Sequence, residues 1–217
     1  MITVKINGEE RQYPQGATYE DVTNDYQQEY ENLIALAARD GKIRELFKKL
    51  TRDCEVTFFT LKDDVGNKTY VRSATMLFLK AVFDVYGREA AQSCRVEFAI
   101  GNGSYISPKG KINATEENAA KIRNRMRELV EAKTPFLKRS YSLDNAMELF
   151  RKEGMKDKEK LFRYRRGSFV NIYEMDGYYD YYYGYMLPNA GYVKWFDVIA
   201  YEDGFMLLLP DKKDPTH

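Results

Sequence analysis

Two hairpin signals bracket a single helical segment in the first 61 residues, and that order leaves few ways to bury a core. Ile2, Val4 and Ile6 alternate with polar residues and run into Asn7-Gly8, a pair suited to the positive φ angles of a two-residue turn. Residues 2–13 are therefore expected as two antiparallel strands. Thr18-Tyr19-Glu20-Asp21 reads as a helix start with an acid three residues past its cap, and the helix should reach about Tyr30. Residues 32–38 and 42–47 flank Arg39-Asp40-Gly41 as a second hairpin, and Cys54 to Leu61 supplies a last strand. Lys62 to Lys68 is polar, contains a glycine and reads as a break. A small sheet wrapped over one helix follows from that order.

Beyond the break the periodicity changes. Apolar residues at 76, 77, 79, 82, 83 and 86 predict a helix over Arg72 to Tyr86. Val96, Phe98 and Ile100 alternate and then turn at Asn102-Gly103 into Tyr105-Ile106, a hairpin. Thr115 caps a helix to about Lys133, Phe136 to Tyr141 reads as a strand, Ser142 caps a helix through Lys152, and Lys156 to Arg166 is a charged helical or irregular connector. The remainder predicts strands at 168–174, 178–183, 192–201 and 204–209, with turns at Asp176-Gly177, Pro188-Asn189 and Asp203-Gly204. The fold class is α+β.

The side-chain inventory removes whole classes of chemistry. The one histidine is His217, the last residue, so a histidine-based triad is out, and with only Cys54 and Cys94 beside it an ordinary zinc site is out too. The two cysteines read as reduced core thiols in a cytoplasmic protein. Gly66-Asn67-Lys68-Thr69 lacks the glycine spacing of a phosphate loop, and Gly101-Asn102-Gly103 lacks the third glycine of a dinucleotide loop. No apolar run reaches membrane-spanning length, and no membrane partner is expected.

With 34 basic and 33 acidic side chains the net charge is +1, which argues for no particular partner. Its distribution is uneven. Residues 121–166 carry 15 basic and 7 acidic groups, a local net of +8, whereas residues 1–66 carry 9 and 13, a net of −4. Lys121, Arg123, Arg125 and Arg127 make a basic face on the helix 115–133, a candidate RNA contact together with residues 151–166, although most such faces are simply solvated.

Seven of the thirteen residues from Tyr173 to Tyr185 are tyrosine, so alternation cannot bury them all, and some hydroxyls must face water or a cavity. The stretch Asp180 to Phe196 (DYYYGYMLPNAGYVKWF) resembles the D-x-C-x-G-P-H-x-P-N segment of threonyl-tRNA synthetases. The resemblance covers nearly the whole chain. Residues 1–68, closing on the K-D-x-x-G run Lys62 to Gly66, resemble the TGS β-grasp domain of those enzymes. Residues 69–210 resemble their editing-type second domain, an antiparallel sheet with flanking helices, also found in alanyl-tRNA synthetases. The same pair of domains heads bacterial uridine-kinase-like nucleoside kinases, whose P-x-x-G-Y-x-K-x-F pattern is present as Pro188, Gly191, Tyr192, Lys194 and Phe196.

What the resemblance implies depends on four positions. The editing pattern H-x-x-x-H falls on Arg72 and Met76, and its C-x-x-x-H on Tyr182 and Met186, so none of the four metal-binding or water-positioning residues is kept. The implied chain is non-catalytic, holds no metal or cofactor of its own, and is an accessory region of a nucleoside kinase. ATP and magnesium would then belong to a kinase domain in cis, with residues 211–217 a tail or linker toward it. The alternative is a tRNA-binding or editing-related module whose deacylase activity is lost or metal-free, with Asp180 and Asp197 the nearest carboxylates. The candidate pocket is formed by Arg72, Met76, Tyr182 and Met186, with Tyr105, Tyr183 and Lys194 as neighbours. Its expected occupant is a small nucleoside or amino acid, or a tRNA-like RNA, unless Met76, Tyr182 and Met186 fill it themselves.

Overall fold

The computed structural model describes residues 1–164 and 167–214. Arg165 and Arg166 of the basic stretch, and residues 215–217 with His217, lie outside the described residues. The chain divides into two compact units. One comprises Met1–Ser73, Gly184–Pro188 and the stretch from Pro210, and the other Ala74–Tyr183 with Asn189–Leu209.

The first unit contains β1 (Ile2–Ile6), β2 (Glu9–Tyr13), α1 (Tyr19–Tyr26), β3 (Ile34–Arg39), β4 (Lys42–Glu45), β5 (Cys54–Thr60) and the start of α2 (Asp64–Tyr86). Its sheet has the order β2-β1-β5-β3-β4, with β1 and β5 parallel and the other pairs antiparallel, which is the β-grasp arrangement. The turn signals act as expected: φ is 51° and 88° at Asn7-Gly8 and 49° and 77° at Asp40-Gly41, the left-handed pair that matches strand twist. Ile2, Val4 and Ile6 are buried with Tyr19, Val22 and Tyr26 of α1, so one face of the strand meets one face of the helix. Thr18 and Asp21 form the capping box. The α-helix ends at Tyr26 and continues as a 3₁₀ turn over Gln27–Glu29 to Tyr30, close to the expected end, while the Gln27 side chain bonds the Asn32 carbonyl and the Ile34 amide.

Lys62 to Lys68 corrects the sequence reading, since most of this polar break belongs to α2. The Asp63 carboxylate accepts from the Thr60 amide at 2.7 Å, and its carbonyl receives the Asn67 amide at 2.8 Å, which starts the helix eight residues before Arg72. Gly66 sits there because the helix approaches the end of β5. A Cβ on it would stand 2.0 Å from the Thr60 carbonyl oxygen.

The second unit holds the rest of α2 and then α3 (Arg88–Ser93), β6 (Arg95–Ile100), β7 (Gly103–Ser107), α4 (Glu116–Glu131), β8 (Leu137–Ser142), α5 (Leu143–Lys152), α6 (Lys156–Arg163), β9 (Phe169–Met175), β10 (Tyr178–Asp180), β11 (Asp197–Tyr201) and β12 (Gly204–Leu208). Two antiparallel sheets, β11-β12-β7-β6 and β10-β9-β8, are flanked by the helices. The Thr115 and Ser142 side chains cap α4 and α5 as expected. Three readings change. The strand expected at 178–183 ends at Asp180. The one expected at 192–201 begins at Asp197, because Asn189 accepts the Gly191 amide and turns residues 190–192 into a 3₁₀ segment. In β6 an extra residue, Glu97, breaks the alternation, so Val96 pairs with Ile106 while Phe98 pairs with Tyr105.

Phe78 of α2 packs on Phe205 beside the buried Ile106, Val198 and Leu207, and a separate cluster of Ala146, Phe150, Met155, Phe162, Val170 and Ile172 lies under α5 and α6. Lys80, 2% exposed, donates to Asp84 at 2.7 Å and to the Asp176 carbonyl at 2.7 Å, fixing the turn that leads into β10.

Gly66→Ala separates helix propensity from close approach. Propensity alone would stabilise α2 by about 1 kcal/mol. The approach to Thr60 instead predicts a loss of roughly 2–4 kcal/mol in urea unfolding. A variant as stable as the parent would contradict this reading of Gly66.

Candidate functional site

The four residues expected to form the pocket divide between the units. Arg72 and Met186 belong to the first, Met76 and Tyr182 to the second. In the first unit the Arg72 guanidinium donates to the Tyr185 carbonyl at 2.9 Å and lies where a side chain on Gly184 would go, a Cβ there being 2.5 Å from Cζ. Gly184 has φ +131°, so both conformation and space require glycine. The segment is further pinned by Glu45, which accepts the Met186 amide at 3.1 Å, and by Ser73, whose hydroxyl accepts the Leu187 amide at 2.9 Å. Arg72 thus holds backbone, and Met186 is fully buried. Met76 is fully buried in the second unit.

Tyr182 differs, since it lines a cavity of about 210 Å³ within the second unit. Thr75 and Leu79, one turn apart on α2, form one wall. Cys94, Arg95 and Val96 form another, at the end of α3 and the start of β6. The bulge at Glu97 is what allows Val96 to line it, because that extra residue sets Val96 on the opposite face of the sheet from Phe98. Met155, Asp157 and Lys158 close it from α6, and Tyr178, Asp180 and Tyr182 from β10 and its continuation.

Asp180 is the polar centre. Its side chain is 5% exposed, and its Oδ1 receives the Tyr181 amide at 2.7 Å and the Lys158 ammonium at 3.0 Å. Its Oδ2 accepts from the Tyr178 hydroxyl at 3.2 Å. The Tyr182 hydroxyl is buried beside the Asp180 carboxylate. Burial, and then the Asp180 charge, pushes the Tyr178 and Tyr182 hydroxyls well above the ordinary tyrosine range. Near the mouth Arg95 and Asp157 stand 3.7 Å apart. Burial pushes the Cys94 thiol up to about 12, which leaves it protonated and without nucleophilic character at neutral pH. The cavity therefore offers two balanced ion pairs, two tyrosine hydroxyls beside Asp180 and an apolar wall. That is equipment for holding a small polar molecule, with no activated nucleophile.

The other expected residues lie elsewhere. Tyr105 pairs with Met206 and faces away from the cavity, its hydroxyl bonded to Asp203 and its ring stacked on Phe98. Tyr183 is 87% exposed and Lys194 is exposed. Asp197 is tied to Arg123 at 3.0 Å. The basic face of α4 is largely neutralised, with Lys121 on Glu117, Arg123 on Asp197 and Glu116, and Arg125 on Asp84 and Glu128. These pairs weigh against three of the four cations as phosphate contacts. Lys158, absent from the expected site, had a signal: Met155, Lys158 and Phe162 recur at helical spacing, which sets Lys158 on the face that α6 buries. A guanidinium bonded to a carbonyl, two thioethers and a phenol do not fit a metal ion, and among the described residues no group of three or more histidine, cysteine, aspartate or glutamate side chains gathers to hold one.

The raised Tyr178 and Tyr182 hydroxyls set a pH dependence. Both are kept neutral in the folded state, so their stabilising effect is whole below the unfolded tyrosine value of about 10 and shrinks as pH rises above it. Urea unfolding at about pH 11 should show a loss relative to pH 8, and Tyr182→Phe should reduce that loss. An identical drop in the variant would contradict this assignment. Cys94 should resist a thiol reagent at pH 8 in the folded chain and react on unfolding.

No protein-family model matches the chain. It is similar to threonine–tRNA ligases: 28% identical over 207 residues to that of Thermotoga maritima, which is 92% of this chain and 30% of the ligase. With that of Porphyromonas gingivalis it is 24% identical over 201 residues, 89% of this chain and 30% of the ligase. With that of Carboxydothermus hydrogenoformans it is 24% identical over 201 residues, 92% and 31%. The chain thus spans about 30% of the length of these relatives. Among the described residues no helix is long and apolar enough to cross a membrane.

Proposed function

We propose that the chain is an editing-related, tRNA-binding module that receives the aminoacylated 3′ end of a tRNA in the cavity around Asp180 and holds it without hydrolysing it. The observation that carries this reading is the cavity itself, in a chain similar to threonine–tRNA ligases over nine-tenths of its length. Asp180 and Lys158 present opposite charges to a ligand bearing an amine and an ester carbonyl, and the buried Tyr182 hydroxyl adds a polar group beside them. Hydrolysis has no agent: the thiol is protonated, both oxygens of Asp180 are occupied, and the four editing positions carry other residues. A nucleoside-kinase parent, with ATP and magnesium in its own domain, rests on the resemblance of the two-domain pair and on the pattern of Pro188, Gly191, Tyr192, Lys194 and Phe196.

Calorimetry with a non-hydrolysable 3′-aminoacylamino-adenosine tests the proposal. Binding is expected, weakened about tenfold or more by Asp180→Asn and several-fold by Tyr182→Phe, as for lost charged and neutral hydrogen bonds. Seryl- and threonyl-tRNA should decay at the buffer rate in its presence. No binding would overturn the ligand, and accelerated deacylation would overturn the non-catalytic role.

A further inference from the structure

β6 is the outer strand of the sheet β11-β12-β7-β6, and every one of its six residues is exposed. The other sheet edges are guarded. β2 carries Glu9, Glu10 and Arg11; β4 carries Lys42 and Arg44; β8 carries Lys138 and Arg139. β10 has only three residues, and β11 is tied to α4 by Arg123, which donates to the Val198 carbonyl at 3.0 Å. Edges are normally protected by such charges, shortness or cover, because a bare row of amides and carbonyls pairs with any strand that arrives. The outer half of β6, Phe98-Ala99-Ile100, has none of these protections, and Phe98 and Ile100 are 46% and 49% exposed.

Those two side chains share one face. Phe98 stacks on Tyr105 at 4.8 Å, and Tyr105 meets Tyr201 edge-on at 6.0 Å, so an aromatic row crosses the sheet and stops at the open edge. Gly204 keeps the row continuous, since a Cβ there would strike the Tyr105 ring at 2.8 Å.

We propose that β6 is an interface with a second copy of this chain, the two strands pairing antiparallel about a two-fold axis at Ala99. That register is self-complementary. Each Phe98 lies opposite Ile100 of the other copy on the same face, Ala99 opposes Ala99, and Glu97 opposes Gly101, so no like charges meet. A register centred on Glu97 would set two carboxylates against each other, and one centred on Val96 would require the buried Cys94. Two four-stranded sheets then join into one of eight. Three or four residues per strand bury far less than a standard interface of about 1,600 Å², so the association is weak and concentration-dependent.

Sedimentation equilibrium of the full chain between about 5 and 500 µM, a range suited to interfaces below standard size, reads this directly. The weight-average mass should climb from one chain toward two, and Phe98→Glu, which leaves the fold intact by circular dichroism, should hold it at one. Ala99→Cys should form a disulfide-linked dimer on mild oxidation, because residues facing each other across a two-fold antiparallel pair lie about 4.5–5.5 Å apart, within disulfide reach. Ser140→Cys on the guarded edge β8 should link far more slowly. A parent chain that stays monomeric, or equal linking of the two cysteine variants, would overturn the proposal. Self-association undiminished by Phe98→Glu would overturn it as well.

Discussion

A carboxylate taken out of water has to be matched on every side, and Asp180 sets the terms for everything around it. The Tyr181 amide, the Lys158 ammonium and the Tyr178 hydroxyl share its two oxygens. That requirement ends β10 at Asp180, draws α6 in through Lys158 and leaves room between α2, α3 and α6 that no side chain fills. Removing any single partner would leave charge buried without compensation, a far larger penalty than the pair's net contribution to stability. Lys80 has the complementary role at the preceding turn. Its buried ammonium secures the Asp176 carbonyl and so fixes where β10 begins.

The four residues expected to line a pocket have different uses in the structure. Arg72 holds the Tyr185 carbonyl and excludes any side chain at Gly184, so those two positions depend on each other. Met76 and Met186 are buried packing, and only Tyr182 still faces a cavity. Three of the four side chains serve structure, while the fourth, Tyr182, lines a cavity beside a carboxylate. That combination favours binding over turnover.

Much of this was legible in the residues. Asn7-Gly8, Asp40-Gly41 and Asp176-Gly177 marked turns because their left-handed φ angles suit those residue types, and Thr18, Thr115 and Ser142 marked helix starts because their oxygens meet free amides. Gly66 misled, since a glycine demanded by close approach to Thr60 looks in sequence like one demanded by a turn. The β6 alternation misled for a related reason, as a bulge at Glu97 leaves no mark in the pattern yet moves Val96 to the cavity. Of the site, the family resemblance points to Tyr182, and the sequence marks Asp180 only as a nearby carboxylate. Helical spacing with Met155 and Phe162 sets Lys158 on a buried face, but its meeting with Arg95, Cys94 and Asp180 depends on how α3, α6 and β10 pack, which local periodicity does not encode.

Function turns on the cavity being a ligand site and not merely a packing defect. Backbone amide spectra recorded while titrating the full chain with the 3′-aminoacylamino-adenosine decide between these. Shifts confined to Val96, Lys158, Tyr178 and Tyr182 and their neighbours, and absent in Asp180→Asn, are the predicted result. Unchanged spectra at millimolar ligand, or shifts that map to the β-grasp unit alone, would contradict it.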